Sequence, residues 1–407
     1  MGKVAAQRAF LHPEKLAVLV AEGGKPGDFN FAVRRADRGR GHGGSRDDGR
    51  EFGSEIIGDA TEFPSEWESS MKPLVGALLL LATFAAAAER PRLLVLTDVG
   101  GDPDDQQSLI RLMVYSNEFE IEGLVASSAG TLGELKSAIT RPELIREIVT
   151  AYGLVRPNLA RHADGWPTAD ALLACIKSGN PHRGRDAIGE GNDSDGSRWI
   201  IRRADAGTAA RPLNLTIWGG QTDLAQALWR VRTDRGADGL ATFVKKLRVF
   251  DIADQDKIAD WMQGEFAGMY YILARPPAGG DRRQGTYRGM YLGGDEALTS
   301  RDWVDRHVRS KGPLGALYPT KTWTAPNPHA CLKEGDTPSW FFFLPRGGND
   351  PTDPTKPGWG GQYRQTADGW YHDLEYKPGV DPRETVSRWR PEYQADFARR
   401  MEWCVSL

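Results

Sequence analysis

Between Pro91 and Ala274, short apolar runs alternate with longer stretches in which apolar side chains return every three or four positions. The runs read as strands buried on both faces: 92–97, 119–126, 213–218, 246–252 and 269–274. The stretches read as helices: 104–116, 132–152, 168–178, 195–206, 222–234 and 256–266, with 301–310 and 391–403 beyond them. Strands separated by helical segments predict an α/β fold, a doubly wound, mostly parallel sheet with helices on both faces. Ligands of such sheets bind beyond the C-terminal ends of the strands. The polar clusters of this chain fall at those ends. Asp98 follows the first strand, Trp218-Gly219-Gly220-Gln221-Thr222-Asp223 follows LNLTIW, and Asp254-Gln255-Asp256 follows KLRVFDI.

Before Pro91 the alternation is missing. Residues 22–55 are rich in Gly, Arg and Asp and have no apolar period. They offer too little apolar surface to offset ordering entropy. Met71-Lys72-Pro73 then leads into LVGALLLLATFAAAA and Glu89-Arg90-Pro91. A basic start, a short apolar region and an Ala-rich end read as a secretory signal peptide, too short for a comfortable membrane span. The expected organisation is therefore 1–70 as disordered or a gene-model extension, 71–88 as signal peptide, and 89–407 as the folded domain. That domain would be periplasmic or secreted, with no stable membrane span in the mature chain.

Composition narrows the classes. Of 407 residues, 40% are hydrophobic and 26% charged, ordinary for a globular protein. A net charge of -3 gives no reason to expect nucleic acid as a partner. Cys175, Cys331 and Cys404 lack metal-site spacing and allow at most one disulfide. No GxGxxG after a strand, Walker loop, HExxH or GxSxG is present.

Chemistry concentrates instead around Gly100-Gly101. Asp98, Asp102, Asp104 and Asp105 put four carboxylates into eight residues. Like charges repel, and burying them is costly unless they are paired or hold a metal. A hard cation such as calcium would resolve the conflict. Helix capping explains one or two of the acids, but not four. A second acidic element is Glu334-Gly335-Asp336-Thr337-Pro338. Taken alone, Asp336 reads as a helix N-cap with Pro338 in the first turn. Beside the Asp98 cluster it becomes a candidate distant metal ligand. His372-Asp373 forms a candidate pair in a loop-like region. Trp166, Trp340, Trp359 and Trp370 sit in loop contexts that would suit sugar stacking, although aromatics are more often core.

These residues carry a resemblance. Thr97-Asp98-Val99-Gly100 with Asp104-Asp105 resembles the Asp-rich signature of the inosine–uridine-preferring nucleoside hydrolases, and Trp218 to Ala225 resembles their second signature. More closely, residues 91–404 resemble the nucleoside-hydrolase-like domain of a family named after a cellulose-binding protein. The matching segments include TDVGGDPDDQQSLIRLMVYSNEFEIEGLVA, KSGNPHRGRDAIGEGNDSDGS, DIADQDKIADW, EGDTPSWFFFLPRGGNDP and RWRPEYQADFARRMEWC. The resemblance implies one calcium held by Asp98, Asp105, the carbonyl of Trp218 and Asp336. It implies Asp98 as the general base for water and Asp104 as a ribose contact. Asp102, Asp254, Gln255, Asp256 and Glu334 are the further candidates for substrate binding, with Glu334 and His182 as candidate leaving-group acids.

The implied activity is calcium-dependent hydrolysis of a glycosidic bond, N-glycosidic first, on a nucleoside, a small sugar or a polysaccharide. The alternative on the same scaffold is a non-catalytic carbohydrate (cellulose)-binding protein. Leu96 favours it, since the nucleoside hydrolases carry a further Asp at that place. Homo-oligomerisation stays open.

Overall fold

The computed structural model describes residues 17–23, 29–35, 89–131, 133–276, 280–323 and 327–405. The chain divides into two compact units, Met1–Phe84 and Ala85–Leu407. In the first, strand β1 (Ala17–Gly23) pairs antiparallel with β2 (Phe29–Arg35). The expected signal segment, 71–88, lies outside the described residues.

The second unit is built on an eight-stranded sheet. Its strands are β3 (Arg92–Thr97), β4 (Glu120–Ala126), β5 (Ile176–Ser178), β6 (Leu213–Trp218), β7 (Leu247–Ile252), β8 (Tyr270–Ala274), β9 (Tyr363–Gln365) and β10 (Tyr371–Asp373). Their order is β5-β4-β3-β6-β7-β8-β10-β9, and only the β10–β9 pair is antiparallel. The chain runs outward from β3 through β4 to β5, then returns to the other side of β3 with β6. That reversal opens a crevice at the C-terminal ends of β3 and β6.

Alternate residues of each inner strand serve opposite cores. Leu93 and Val95 pack in one cluster with Ile110 of helix Asp104–Met113, Ile148 of helix Pro142–Leu159 and Phe397 of helix Arg390–Glu402. Leu94 and Leu96 pack in the other with Ile200 of helix Asp195–Asp205, Leu224 of helix Gln221–Val244 and Met262 of helix Ala259–Glu265. Continuous apolar strands are required because both faces are covered.

The five expected strands form, each within one residue of its expected bounds. Several helices differ. The expected helix at 132–152 is Pro142–Leu159. Proline is favoured in a first turn and disfavours helix before itself, so the preceding loop ends there. The helix expected at 168–178 stops at Ala174, and Ile176–Ser178 instead pairs with β4. The helix expected at 222–234 runs Gln221–Val244 and breaks at Gly236, whose φ of 70° is not helical. The three cysteines are free thiols. No helix among the described residues is long and apolar enough to cross a membrane.

Candidate functional site

A cleft of about 590 Å³ opens where the C-terminal ends of β3 and β7 meet the first turn of helix Asp104–Met113. Asp98, Asp102, Asp104, Asp105, Asp254, Gln255 and Asp336 all line it. Sequence positions more than two hundred apart thus share one wall, and the scaffolding that brings them together is visible. Gln107 donates from Nε2 to the carbonyls of Cys331 (2.8 Å) and Pro319 (2.9 Å), and its Oε1 accepts from Lys333 N at 2.9 Å. One turn on, Arg111 forms a fully buried ion pair with Glu334. Two buried polar side chains of one helix therefore strap the 331–334 segment down. The strap sets Asp336 beside the acids of the first turn.

The carboxylate oxygens of Asp104, Asp105 and Asp336 lie within 4.8 Å of one another. Asp98 is buried on the same floor but is not among these three. Its Oδ2 and the Oδ2 of Asp336 are buried with no hydrogen-bond partner. Such orphaned oxygens are rare unless a ligand completes them. Burial pushes the Asp98 carboxyl up to about 8, with the charges of Asp104 and Asp256 adding to the rise and Arg183 opposing it. Asp105 and Asp336 are held well above the usual carboxylate range, first by burial and then by neighbouring acids. Clustered carboxylates with oxygens to spare make a donor set for a hard divalent cation.

The turn after β6 is shaped to admit Asp98. Gly219 has φ 127°, and a Cβ there would stand 2.6 Å from the Asp98 Cβ. Gly220 has φ 90°, and a Cβ would collide with Ser127 Oγ at 2.1 Å. No larger residue fits either position.

Two cations that the sequence did not single out enter this acid floor. Lys333 Nζ lies 2.6 Å from Asp102 Oδ2 and 3.1 Å from Asp104 Oδ2. Arg183 is held by the Ser128 and Gly130 carbonyls, and its Nη1 approaches Asp256 Oδ1 (3.4 Å) and Asp98 Oδ2 (3.9 Å). A lone Lys or Arg in a loop carries no periodic signal, so only the fold reveals these contacts.

Other expected roles change. Glu334 does not line the cleft; it is tied to Arg111 and to the hydroxyl of Tyr318. Asp256 is also off the lining and accepts from Thr222 N (2.8 Å) and Oγ1 (2.7 Å). Asp254 lines the cleft, but its Oδ1 accepts from Ile258 N and Ala259 N, both at 3.0 Å, while Arg275 takes its Oδ2. Asp104 lies in the close triad and also lines the cleft. The Trp218 carbonyl accepts a 2.7 Å bond from Gln255, which takes one of its two lone pairs. His182 lines a neighbouring cavity of about 250 Å³. His372 faces Asp368 at 3.4 Å, while Asp373 is buried and accepts from Thr286 N. Trp166, Trp340, Trp359 and Trp370 are all buried, so they serve the core.

A family profile described as "Cellulose-binding Sde182, nucleoside hydrolase-like domain" matches residues 92–363. Among solved structures, the chain is similar to a nucleoside hydrolase-related hypothetical protein from Saccharophagus degradans that is associated with carbohydrate metabolism. Sequence identity is 30%, the TM-score is 0.64, and the match covers 78% of this chain and 72% of that one. A second match, the effector protein XOO4466, is 11% identical with a TM-score of 0.40, covering 82% of this chain and 99% of that one. No curated protein matches the chain.

Proposed function

The chain belongs to the nucleoside-hydrolase-like family of cellulose-binding Sde182, and from that premise we propose that it is a calcium-dependent hydrolase of a glycosidic bond, N-glycosidic first, secreted or periplasmic. The observation that carries this reading is the orphaned oxygen of Asp98, buried on the floor of an acid-lined cleft. Asp104, Asp105 and Asp336 would hold the cation. A hard divalent ion there supplies positive charge that acidifies water and binds sugar hydroxyls.

The chain's own groups account for the remaining steps. Asp98 Oδ2, free of hydrogen bonds, takes a proton from the attacking water as general base. Burial favours the protonated form of Asp98 in the metal-free chain, and a cation on the triad would lower its pKa toward the ionised form that accepts the proton. Arg183 stands behind the carboxylate and fixes its position by charge. The surrounding carboxylates stabilise the positive charge that develops on the sugar ring. Gln255, on the cleft wall, orders the Trp218 carbonyl and with it the turn around Asp98.

A second reading, a carbohydrate-binding protein without turnover, is favoured by one observation. Lys333 already neutralises Asp102 and Asp104, so the acid floor is partly balanced by the protein itself. A panel of nucleosides and glycosides, incubated with the full chain in calcium and in chelator, separates the two. Release of free sugar that stops in chelator supports the hydrolase. Binding of sugar with no release in either condition supports the binder.

A further inference from the structure

The cleft carries positive side chains as well as acids, among them Glu134 and the exposed Asp260. Five cationic side chains line the cleft: Lys257, Arg275, Arg282, Arg288 and Lys333. Three have work inside the fold. Lys333 pairs with Asp102 and Asp104, and Arg275 pairs with Asp254 and Asp260. Arg288 donates to the Arg282 carbonyl and to the hydroxyl of Tyr291. Lys257 and Arg282 are exposed and have no acidic partner among the described residues.

Lys257 is also presented by strained backbone. Ala253, Asp254 and Lys257 have φ of 72°, 52° and 57°, and none is glycine. The loop is fixed in that shape by the Asp254 carboxylate on Ile258 N and Ala259 N, and by Lys257 N on the Asp254 carbonyl. Retained strain of this kind concentrates at ligand clamps.

The aromatic content of the cleft argues the same way. A neutral glucan is gripped by flat aromatic faces. Tyr287 is the cleft's only aromatic lining residue among the described residues, and it is buried. The lining itself offers charge; the exposed Trp323, whose N donates to Asp102, stands beside it.

We propose that the cleft takes an anionic sugar, one carrying a carboxylate or a phosphate, with its charged group on Lys257 and Arg282 and its hydroxyls toward the Asp98 floor. This rests on the reading of the cleft as a sugar-binding hydrolase site. A cation held by the triad would offset the floor's negative charge, which otherwise repels such a ligand. The rim then decides which sugars enter.

The test is calorimetric binding to the calcium-loaded full chain at low salt, with glucuronic acid, glucose 6-phosphate and glucose as probes. At least one anionic probe binds about tenfold or more tighter than glucose, the scale of one charge-assisted hydrogen bond. The preference shrinks at high salt and disappears in a Lys257→Gln/Arg282→Gln variant, whose melting curve confirms folding. Which anionic probe is preferred distinguishes a carboxylate from a phosphate group. Glucose binding as tightly as both anions, or a preference that survives the double variant, overturns the proposal. Calcium binding with no charge preference sinks this inference alone. Failure to bind calcium or any of the sugars sinks it together with the site reading.

Discussion

Arg183 Nη1 stands 3.9 Å from Asp98 Oδ2, and neither atom has a hydrogen-bond partner among the described residues. An arginine thus occupies the charge environment that a metal ion would share. Arg183→Met keeps much of the side-chain volume and removes the charge. Calcium affinity should rise about tenfold or more, because a positive charge near the ion has gone. Metal-free stability should fall, by less than the about 3–5 kcal/mol of a tightly paired buried charge, because Asp98 and Asp256 lose a counter-charge held at 3.9 and 3.4 Å. Calorimetric titration and thermal melting read the two effects. Unchanged affinity would mean that the guanidinium does not sense the metal site.

Asp105→Asn and Asp336→Asn test the triad. Each removes one charged ligand, so calcium affinity should drop by about tenfold or more. Without metal, each variant should melt higher than the wild type, since burial and mutual repulsion oppose ionisation of both acids. Weaker calcium binding together with a more stable metal-free protein is the signature of a functional acid cluster. Loss of stability in both conditions would make these acids structural.

The fold was readable because five strands are buried on both faces and leave unbroken apolar runs such as LNLTIW. The three-residue strands β5, β9 and β10 are too short to show a period. Within the site, Asp98 and Asp105 announced themselves by local acid density. Asp336 needed the family resemblance, because its own surroundings read equally well as a cap. It does hold the N-cap position before Thr337, yet its side chain makes no capping bond. Arg183 and Lys333 left no trace in the pattern. Their meaning depends on loops that meet only after the sheet reverses at β6.

Glu334 marks the line between scaffold and site. Glu334→Gln leaves Arg111 as a buried, uncompensated charge, which should cost about 3–5 kcal/mol. The intrinsic affinity of the folded fraction for calcium should hold, because Gln107 still ties down the segment that carries Asp336 and Glu334 does not line the cleft. Equilibrium denaturation beside calcium titration reads both. Full stability with lost calcium binding would return Glu334 to the site.

Stability should depend on pH in a definite direction. Burial raises Asp98 to about 8, Asp373 to about 7 and Asp223 to about 6. In the unfolded chain they ionise near 4. Each contributes stability that is complete below about pH 4 and lost as pH rises through its folded value. The metal-free chain should therefore lose stability between about pH 4 and about pH 8. Excess calcium favours ionised carboxylates and should flatten the decline. Carboxylates held low, such as Asp350 beside Lys356, act below this window. Melting curves across that range, with chelator and with calcium, check the slope. A rise with pH in chelator would contradict it.

The most direct measurement of the central claim is turnover by Asp98→Asn at saturating calcium, on whichever nucleoside or glycoside the wild type cleaves. The substitution keeps one oxygen and the side-chain size but removes the base. The account predicts normal calcium binding and a rate lowered by about 10²–10⁴-fold, the scale of a lost general base. Cleavage at the wild-type rate, or a wild type that cleaves nothing while both proteins bind sugar equally, would contradict it.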